Sequence, residues 1–144
     1  MLRTSLLILF CIISLAGYSQ TRITWKTLED VTFTDKYSEQ VDAYYYFPKF
    51  GASVLELADK EVIIRGHLLE IDAEEDVYIL SANPFSACFF CGAAGPESII
   101  ELKVPKDHPQ FKMDEVLTFK GKLKLNATDI YQCNYILEDA TVYK

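Results

Sequence analysis

Between residues 115 and 125, apolar and polar side chains alternate without a break, and this alternation limits the folds open to the chain. On one face lie Leu117, Phe119, Gly121, Leu123 and Leu125, and on the other lie Thr118, Lys120, Lys122 and Lys124. Because successive side chains of a β-strand point to opposite faces of the sheet, a period of two places one set against a core and the other in water. The segment is therefore predicted to be a half-buried strand.

Four further segments have strand character, each bounded by polar residues, glycine or proline. The five predicted strands are Glu61–Ile71, Val77–Ser81, Ser98–Val104, Glu115–Leu125 and Tyr135–Tyr143. Gly66 and Gly121 interrupt two of them at positions where a small barrel has to bend. The pattern predicts an all-β fold, a small five-stranded OB-fold-like Greek-key barrel. A β-sandwich, which usually has about seven strands, is the alternative.

The apolar positions of these strands supply the candidate core. Its members are Val62, Ile64, Ile79, Ile100, Leu102, Leu117, Phe119, Leu123, Ile136 and Val142. Helical spacing of apolar residues is confined to short stretches, so one or two short helices are expected. The candidates are Ala52–Ala58 and the connection Lys106–Met113, which Pro109 keeps short.

The N-terminus has the organisation of a secretory signal peptide. A basic Arg3 precedes an apolar run from Leu6 to Ala16, and the small residues Gly17 and Ser19 follow it. The run is shorter than the ~20 apolar residues of a transmembrane helix, so the mature form is not expected to span a membrane. We expect cleavage after Ser19 and a periplasmic or secreted product.

The sequence thus predicts three parts: a signal peptide at 1–19, a lead-in at 20–58 and the barrel at 59–144. The lead-in is rich in aromatic residues and is expected to be irregular and to pack on the barrel. Across the chain, 14 Lys and Arg residues against 21 Asp and Glu give a net charge of −7. This charge repels phosphate backbones, so no nucleic-acid partner is expected.

The motif that most clearly suggests a chemical role is the CxxC pair formed by Cys88 and Cys91. Two thiolates three positions apart can bind one soft metal ion such as zinc, and Cys133 is the third candidate ligand. A disulfide is equally open, either within the loop or between Cys133 and one loop cysteine, because exported proteins commonly contain paired thiols.

Further candidates for a binding surface are Phe89, Phe90, Glu97 and His67. The two phenylalanines form a docking patch if exposed, or they close the barrel mouth if buried. His67 shares a strand face with the charged Arg65 and is expected at the surface. The sequence contains no Ser-His-Asp order, phosphate-binding loop or HExxH motif, so an enzyme is the less expected class.

Several short motifs together resemble a known family. They are residues 23–28 (ITWKTL), Phe47-Pro48 with Leu57, residues 62–66 (VIIRG), and a hydrophobic strand that leads into a cysteine-containing loop. This combination resembles the secreted bacterial family catalogued as domain of unknown function 3299. The resemblance covers most of the mature chain. It implies an extracytoplasmic binding or accessory role, in some members beside metal-uptake or transporter components.

Together these features predict an exported, non-enzymatic binding or accessory protein that binds zinc or a similar metal through its CxxC loop. Its expected partner is an envelope transporter or another envelope protein. One alternative is a thiol redox protein, with Cys88 as the attacking and Cys91 as the resolving thiol. Another is a partner-docking subunit stabilised by a disulfide.

Overall fold

The structure is a computed structural model that describes residues 20–72 and 75–144. Its strands are β1 Thr21–Arg22, β2 Val31–Ser38, β3 Ala43–Phe50, β4 Glu61–Asp72, β5 Val77–Ser81, β6 Ile99–Leu102, β7 Val116–Leu125 and β8 Tyr135–Val142. Its α-helices are α1 Trp25–Leu28 and α2 Ala52–Leu55. The predicted signal peptide at 1–19 lies outside the described residues. In the described part, no helix has the length and apolar character needed to cross a membrane.

Five strands form a closed barrel in the order β4-β5-β6-β8-β7, and β7 pairs back onto β4. Neighbours are antiparallel except β6 and β8, which are parallel. Numbered within the barrel, the order is 1-2-3-5-4, the Greek-key arrangement of an OB-fold. The predicted all-β barrel is thereby confirmed, and each predicted strand end lies within two residues of the observed one.

The two mid-strand glycines lie where neighbouring strands approach closely. A Cβ atom at Gly66 would lie 2.5 Å from the carbonyl oxygen of Ser81, and one at Gly121 would lie 2.6 Å from that of Glu138. At Gly121 the pairing of β7 with β8 also shifts register. A side chain at either position would separate the strands, as expected where a small barrel bends.

The barrel interior forms the main core. Its fully buried large side chains include Val62, Ile64, Leu68, Leu80, Ile100, Phe119, Leu123, Tyr135 and Leu137. Eight of the ten predicted core residues are buried, and Leu117 and Val142 pack half-buried against the core. In β8, however, Tyr135 and Leu137 belong to this core and the predicted Ile136 does not. Both faces of that part of β8 are buried, so alternation could not identify the interior face.

A second, smaller core lies on the outer face of the barrel. It consists of Leu69, Ile79, Cys88 and Ile99, with Phe89 and Cys133 packed against it. Ile79 is therefore buried as predicted but belongs to this outer cluster. The segment that follows β5 folds back over the barrel and supplies Cys88 and Phe89 to the cluster.

The lead-in is more regular than the sequence predicts. Strands β2 and β3 pair in one continuous antiparallel register and form a two-stranded ribbon, and β1 pairs with β4. The indole nitrogen of Trp25 donates a hydrogen bond of 2.8 Å to the carbonyl oxygen of Arg65, which fixes α1 to the barrel. Pro48 is tolerated in β3 because this ribbon has free edges.

The helix predicted at Lys106–Met113 does not form, and the segment consists of turns and irregular backbone. Pro105 and Pro109 lack the amide hydrogens that a helix needs, and each restricts the residue before it. Phe111 packs edge-on against Phe119 of the core and stacks on His108. The connection is therefore held by these ring contacts.

Candidate binding groove

A groove of about 460 Å³ crosses the outer face of the barrel at β5 and β6. Its floor includes Ile79, Ile99 and Glu101, whose side chains lie on the outer side of these strands. Two flanking segments, named here the turn wall and the loop wall, rise beside this floor. The turn wall is the 3₁₀ turn Phe89–Cys91, and the loop wall is the segment 126–134 between β7 and β8.

Aromatic side chains dominate the sides of the groove. Phe89 and Phe90 line it from the turn wall, and their rings pack edge-to-face with centroids 5.5 Å apart. Tyr131 lines it from the loop wall, and Tyr45 and Tyr46 line it from β3. Phe90 and Tyr131 are exposed, so a ligand in the groove would cover apolar surface that now contacts water.

The loop wall is organised around the side chain of Asn126. Its amide nitrogen donates hydrogen bonds to the carbonyl oxygens of Asp129 at 2.7 Å and Cys133 at 3.2 Å. Its amide oxygen accepts hydrogen bonds from the backbone of Thr128 at 3.2 Å and Asp129 at 2.9 Å. Asn126 thus serves as an internal template that satisfies loop backbone groups, an ordinary role for asparagine in turns.

Glu101 connects the loop wall to the floor. One carboxylate oxygen accepts a 3.0 Å hydrogen bond from the backbone amide of Cys133, and the other contacts the ammonium group of Lys103. Since the Glu101 carboxylate is largely buried, these partners compensate the loss of water around its charge. Sequence reasoning missed both Glu101 and Asn126. The sequence signal for Glu101 was a charged residue between the apolar strand residues Ile100 and Leu102. The signal for Asn126 was an asparagine at the start of a polar loop.

Cys88 and Cys91 lie together at the turn wall, with their sulfurs 3.9 Å apart. Cys88 is completely buried, whereas Cys91 is exposed and its thiol donates a 3.1 Å hydrogen bond to the carbonyl oxygen of Phe85. Partial loss of hydration and the neighbouring Cys88 raise the pKa of the Cys91 thiol above its usual value. Both sulfurs are free thiols in this structure.

Cys133 packs against the same outer cluster as Cys88, but it does not complete a metal site. Burial and the nearby Glu101 carboxylate raise its thiol pKa to about 12, so it is protonated at neutral pH. Within residues 20–72 and 75–144, no three His, Cys, Asp or Glu side chains converge on a point where they could hold a metal ion. The three cysteines predicted as zinc ligands are therefore not brought together as a ligand set.

The remaining predicted surface residues, Glu97 and His67, are not among the residues that line the groove. Glu97 is in the 3₁₀ turn Pro96–Ser98. Besides burial, its negative charge contributes to the raised pKa of the Tyr135 hydroxyl group in the main core. His67 is partly exposed on β4, where its Nδ1 atom lies 3.9 Å from a carboxylate oxygen of Asp114. Of the four predicted residues, only Phe89 and Phe90 line the groove.

Comparison with solved structures gives a match to the fold of this chain. A crystal structure of a DUF3299 family protein from Pseudomonas aeruginosa PAO1 superposes with a TM-score of 0.53 and 14% sequence identity, covering 88% of this chain and 97% of that chain. No protein-family model matches the sequence, and no curated protein matches it. The chain therefore shares its fold with a DUF3299 family protein, in agreement with the family resemblance of the sequence.

Proposed function

We propose that the protein is an exported, non-enzymatic binding module that holds a largely apolar, uncharged ligand in the groove. The observation that carries this proposal is the position of the groove. OB-folds bind ligands across strands two and three of the barrel, beside the loops that join strands one to two and four to five. Here β5 and β6 are strands two and three, and the loop wall joins strands four and five.

The lining determines the chemistry of the ligand. The described lining contains phenylalanine, tyrosine and isoleucine side chains but no lysine or arginine, and its charged members are Glu101 and Asp129. A phosphate or carboxylate in this groove would lie beside the carboxylates of Glu101 and Asp129, and the nearby ammonium group of Lys103 is already paired with Glu101. A volume of about 460 Å³ lies within the range of small-molecule sites. A neutral ligand with an aromatic or aliphatic body fits best.

The state of the thiols supports binding over thiol catalysis. A redox enzyme requires an accessible cysteine with a lowered pKa, because the thiolate is the nucleophile. In this structure Cys88, the attacking thiol of the redox alternative, is buried, and the accessible Cys91 has a raised pKa. The raised pKa favours a protonated Cys91 thiol at neutral pH.

The export part of the proposal rests on the signal-like organisation of residues 1–19. An exported module of this kind fits a role beside an envelope transporter or another envelope protein, to which it would deliver or from which it would receive its ligand. The intact mass of protein recovered from the producing cell tests this part. A mature form that begins at Gln20 is expected.

Binding is tested by fluorescence titration with Nile red, a neutral apolar dye, followed by displacement with neutral aromatic fragments. Tyr131→Ala should weaken dye binding. Tyr44→Ala is the matched control, because Tyr44 is 73% exposed and Tyr131 is 72% exposed, but only Tyr131 lines the groove. Absence of saturable binding, or equal losses in the two variants, contradicts the proposal.

A further inference from the structure

The CxxC motif and the turn wall of the groove are the same short segment. The two residues between the cysteines are Phe89 and Phe90, both of which line the groove. Cys88 immediately precedes the 3₁₀ turn and Cys91 ends it. Any change in the relation between the two sulfurs therefore acts directly on the aromatic side of the groove.

We propose that Cys88 and Cys91 form a reversible thiol–disulfide site that controls the turn wall. The effect on ligand affinity rests on the proposed function, whereas formation of the bond and its effect on the turn do not. The pair is poised for this reaction because its sulfurs are 3.9 Å apart, while one is accessible to a reagent and the other is not.

Bond formation requires movement of the exposed partner. The sulfurs must approach to about 2.05 Å, and the buried Cys88 is held by Leu69, Ile79 and Ile99 of the outer cluster. Cys91 can move once two hydrogen bonds break, one from its thiol to the carbonyl of Phe85 and one of 3.2 Å from its amide to the carbonyl of Cys88. Gly92 follows it with a φ of 73°, a left-handed conformation that gives the chain a pivot. Movement of Cys91 displaces its neighbour Phe90.

The oxidant is a disulfide, either a small molecule or the disulfide of an oxidoreductase. The thiolate of Cys91 attacks one sulfur of this disulfide, forming a mixed disulfide and releasing one thiolate. The thiolate of Cys88 then attacks the Cys91 sulfur, closing the internal bond and releasing the second thiolate. The two cysteine protons pass through water to the released thiolates. In total, two protein thiols are oxidised and one disulfide is reduced to two thiols.

Cys133 could instead form the disulfide with one of the loop cysteines. Tryptic digestion distinguishes such a bond from one between Cys88 and Cys91. Trypsin places Cys88 and Cys91 in one peptide, 66–103, and Cys133 in another, 125–144. A bond between Cys88 and Cys91 lies within one peptide, whereas a bond to Cys133 joins two. If the signal segment is retained, Cys11 falls in a separate peptide, 4–22.

The test equilibrates the protein in buffers with varied ratios of reduced to oxidised glutathione, followed by alkylation and mass spectrometry. We expect a reversible loss of two hydrogens confined to peptide 66–103. Cys133→Ser should behave like the wild type, and Cys88→Ser should stop at a Cys91–glutathione adduct. Continued alkylation of both loop cysteines in oxidised glutathione, or a cross-link to Cys133, would overturn the proposal.

Control of the turn wall has two independent readouts. Hydrogen exchange across residues 82–98 should differ between the oxidised and reduced forms in the absence of any ligand. Nile red should bind the oxidised form roughly three- to tenfold more weakly, the loss expected for part of one aromatic contact. Unchanged exchange overturns control of the turn. If the protein forms the disulfide and its hydrogen exchange changes, but it never binds the dye, the proposed function is overturned. The thiol site is still supported in that case.

Discussion

The hydroxyl group of Tyr135 donates a 2.8 Å hydrogen bond to the carbonyl oxygen of Leu28, and both residues are completely buried. Tyr135 opens the last barrel strand and Leu28 ends helix α1, so this bond joins the barrel to the lead-in. The ring of Tyr135 also packs against Phe50 at the end of the ribbon, with centroids 5.6 Å apart. The lead-in is thus a part of the main core through a polar contact as well as an apolar one.

Tyr135→Phe should lower the free energy of unfolding by ~1–3 kcal/mol, because it leaves the buried carbonyl of Leu28 without its partner. Urea denaturation measures the change. Tyr131→Phe removes the same hydroxyl from an exposed side chain and should have almost no effect. Equal effects of the two substitutions would show that the Tyr135 bond does not stabilise the fold.

The buried hydroxyl group of Tyr135 should also make the stability of the fold depend on pH in the alkaline range. Burial, followed by the charges of Glu97 and Asp30, raises the pKa of the Tyr135 hydroxyl above its usual value near 10. A group whose pKa is raised on folding contributes stability that is complete below its unfolded pKa and is lost as pH rises toward the folded pKa. The stability of the wild type should therefore fall above pH 10, and that of Tyr135→Phe should fall less steeply. Parallel pH profiles in urea denaturation would contradict this assignment.

The register of β7 gives a sharp contrast between adjacent residues. Leu123 is completely buried in the main core, and Leu123→Ala should cost ~2–5 kcal/mol of unfolding free energy. Lys122 is exposed, and its contact with Asp59 is long at 4.0 Å, so Lys122→Ala should be nearly neutral. Thermal unfolding of both variants checks the pair. A loss at Lys122 as large as that at Leu123 would be inconsistent with this register.

The barrel could be predicted because most of its strands show a local pattern of apolar and polar residues. In β7, Phe119 and Leu123 alternate with lysines because one face is buried and the other is wet. The same argument fails in β8, where Tyr135, Ile136 and Leu137 are all buried and the first polar residues, Glu138 and Asp139, are adjacent, so they do not mark one face. Where both faces of a strand are buried, alternation no longer identifies the interior.

The candidate site was only partly predictable, for a different reason. Phe89 and Phe90 were identified because they stand beside a recognisable cysteine motif. The opposite wall of the groove is brought there by tertiary contact, through the bond between Glu101 and the backbone of Cys133. These residues are 32 positions apart, and no local pattern records the contact. The groove is therefore a property of barrel closure, which places the connection between β7 and β8 above β6.

Asn126 tests whether the shape of the loop wall determines binding. Asn126→Asp keeps the side-chain oxygen that accepts from Thr128 and Asp129, but it replaces the amide donor with a carboxylate oxygen facing the carbonyls of Asp129 and Cys133. Removal of these hydrogen bonds should destabilise the protein by ~1–3 kcal/mol and loosen the segment 126–134. Hydrogen exchange of this segment should increase, and Nile red binding should weaken although Asn126 does not itself line the groove.

Thr128→Ala is the matched control for Asn126→Asp. Thr128 is exposed and contributes to the Asn126 network through its backbone amide, which the substitution retains. Exchange and dye binding should therefore remain close to those of the wild type. If Asn126→Asp loosens the loop but leaves dye affinity unchanged, the loop wall does not contribute to binding, and the ligand contacts would have to come from the floor and the turn wall alone.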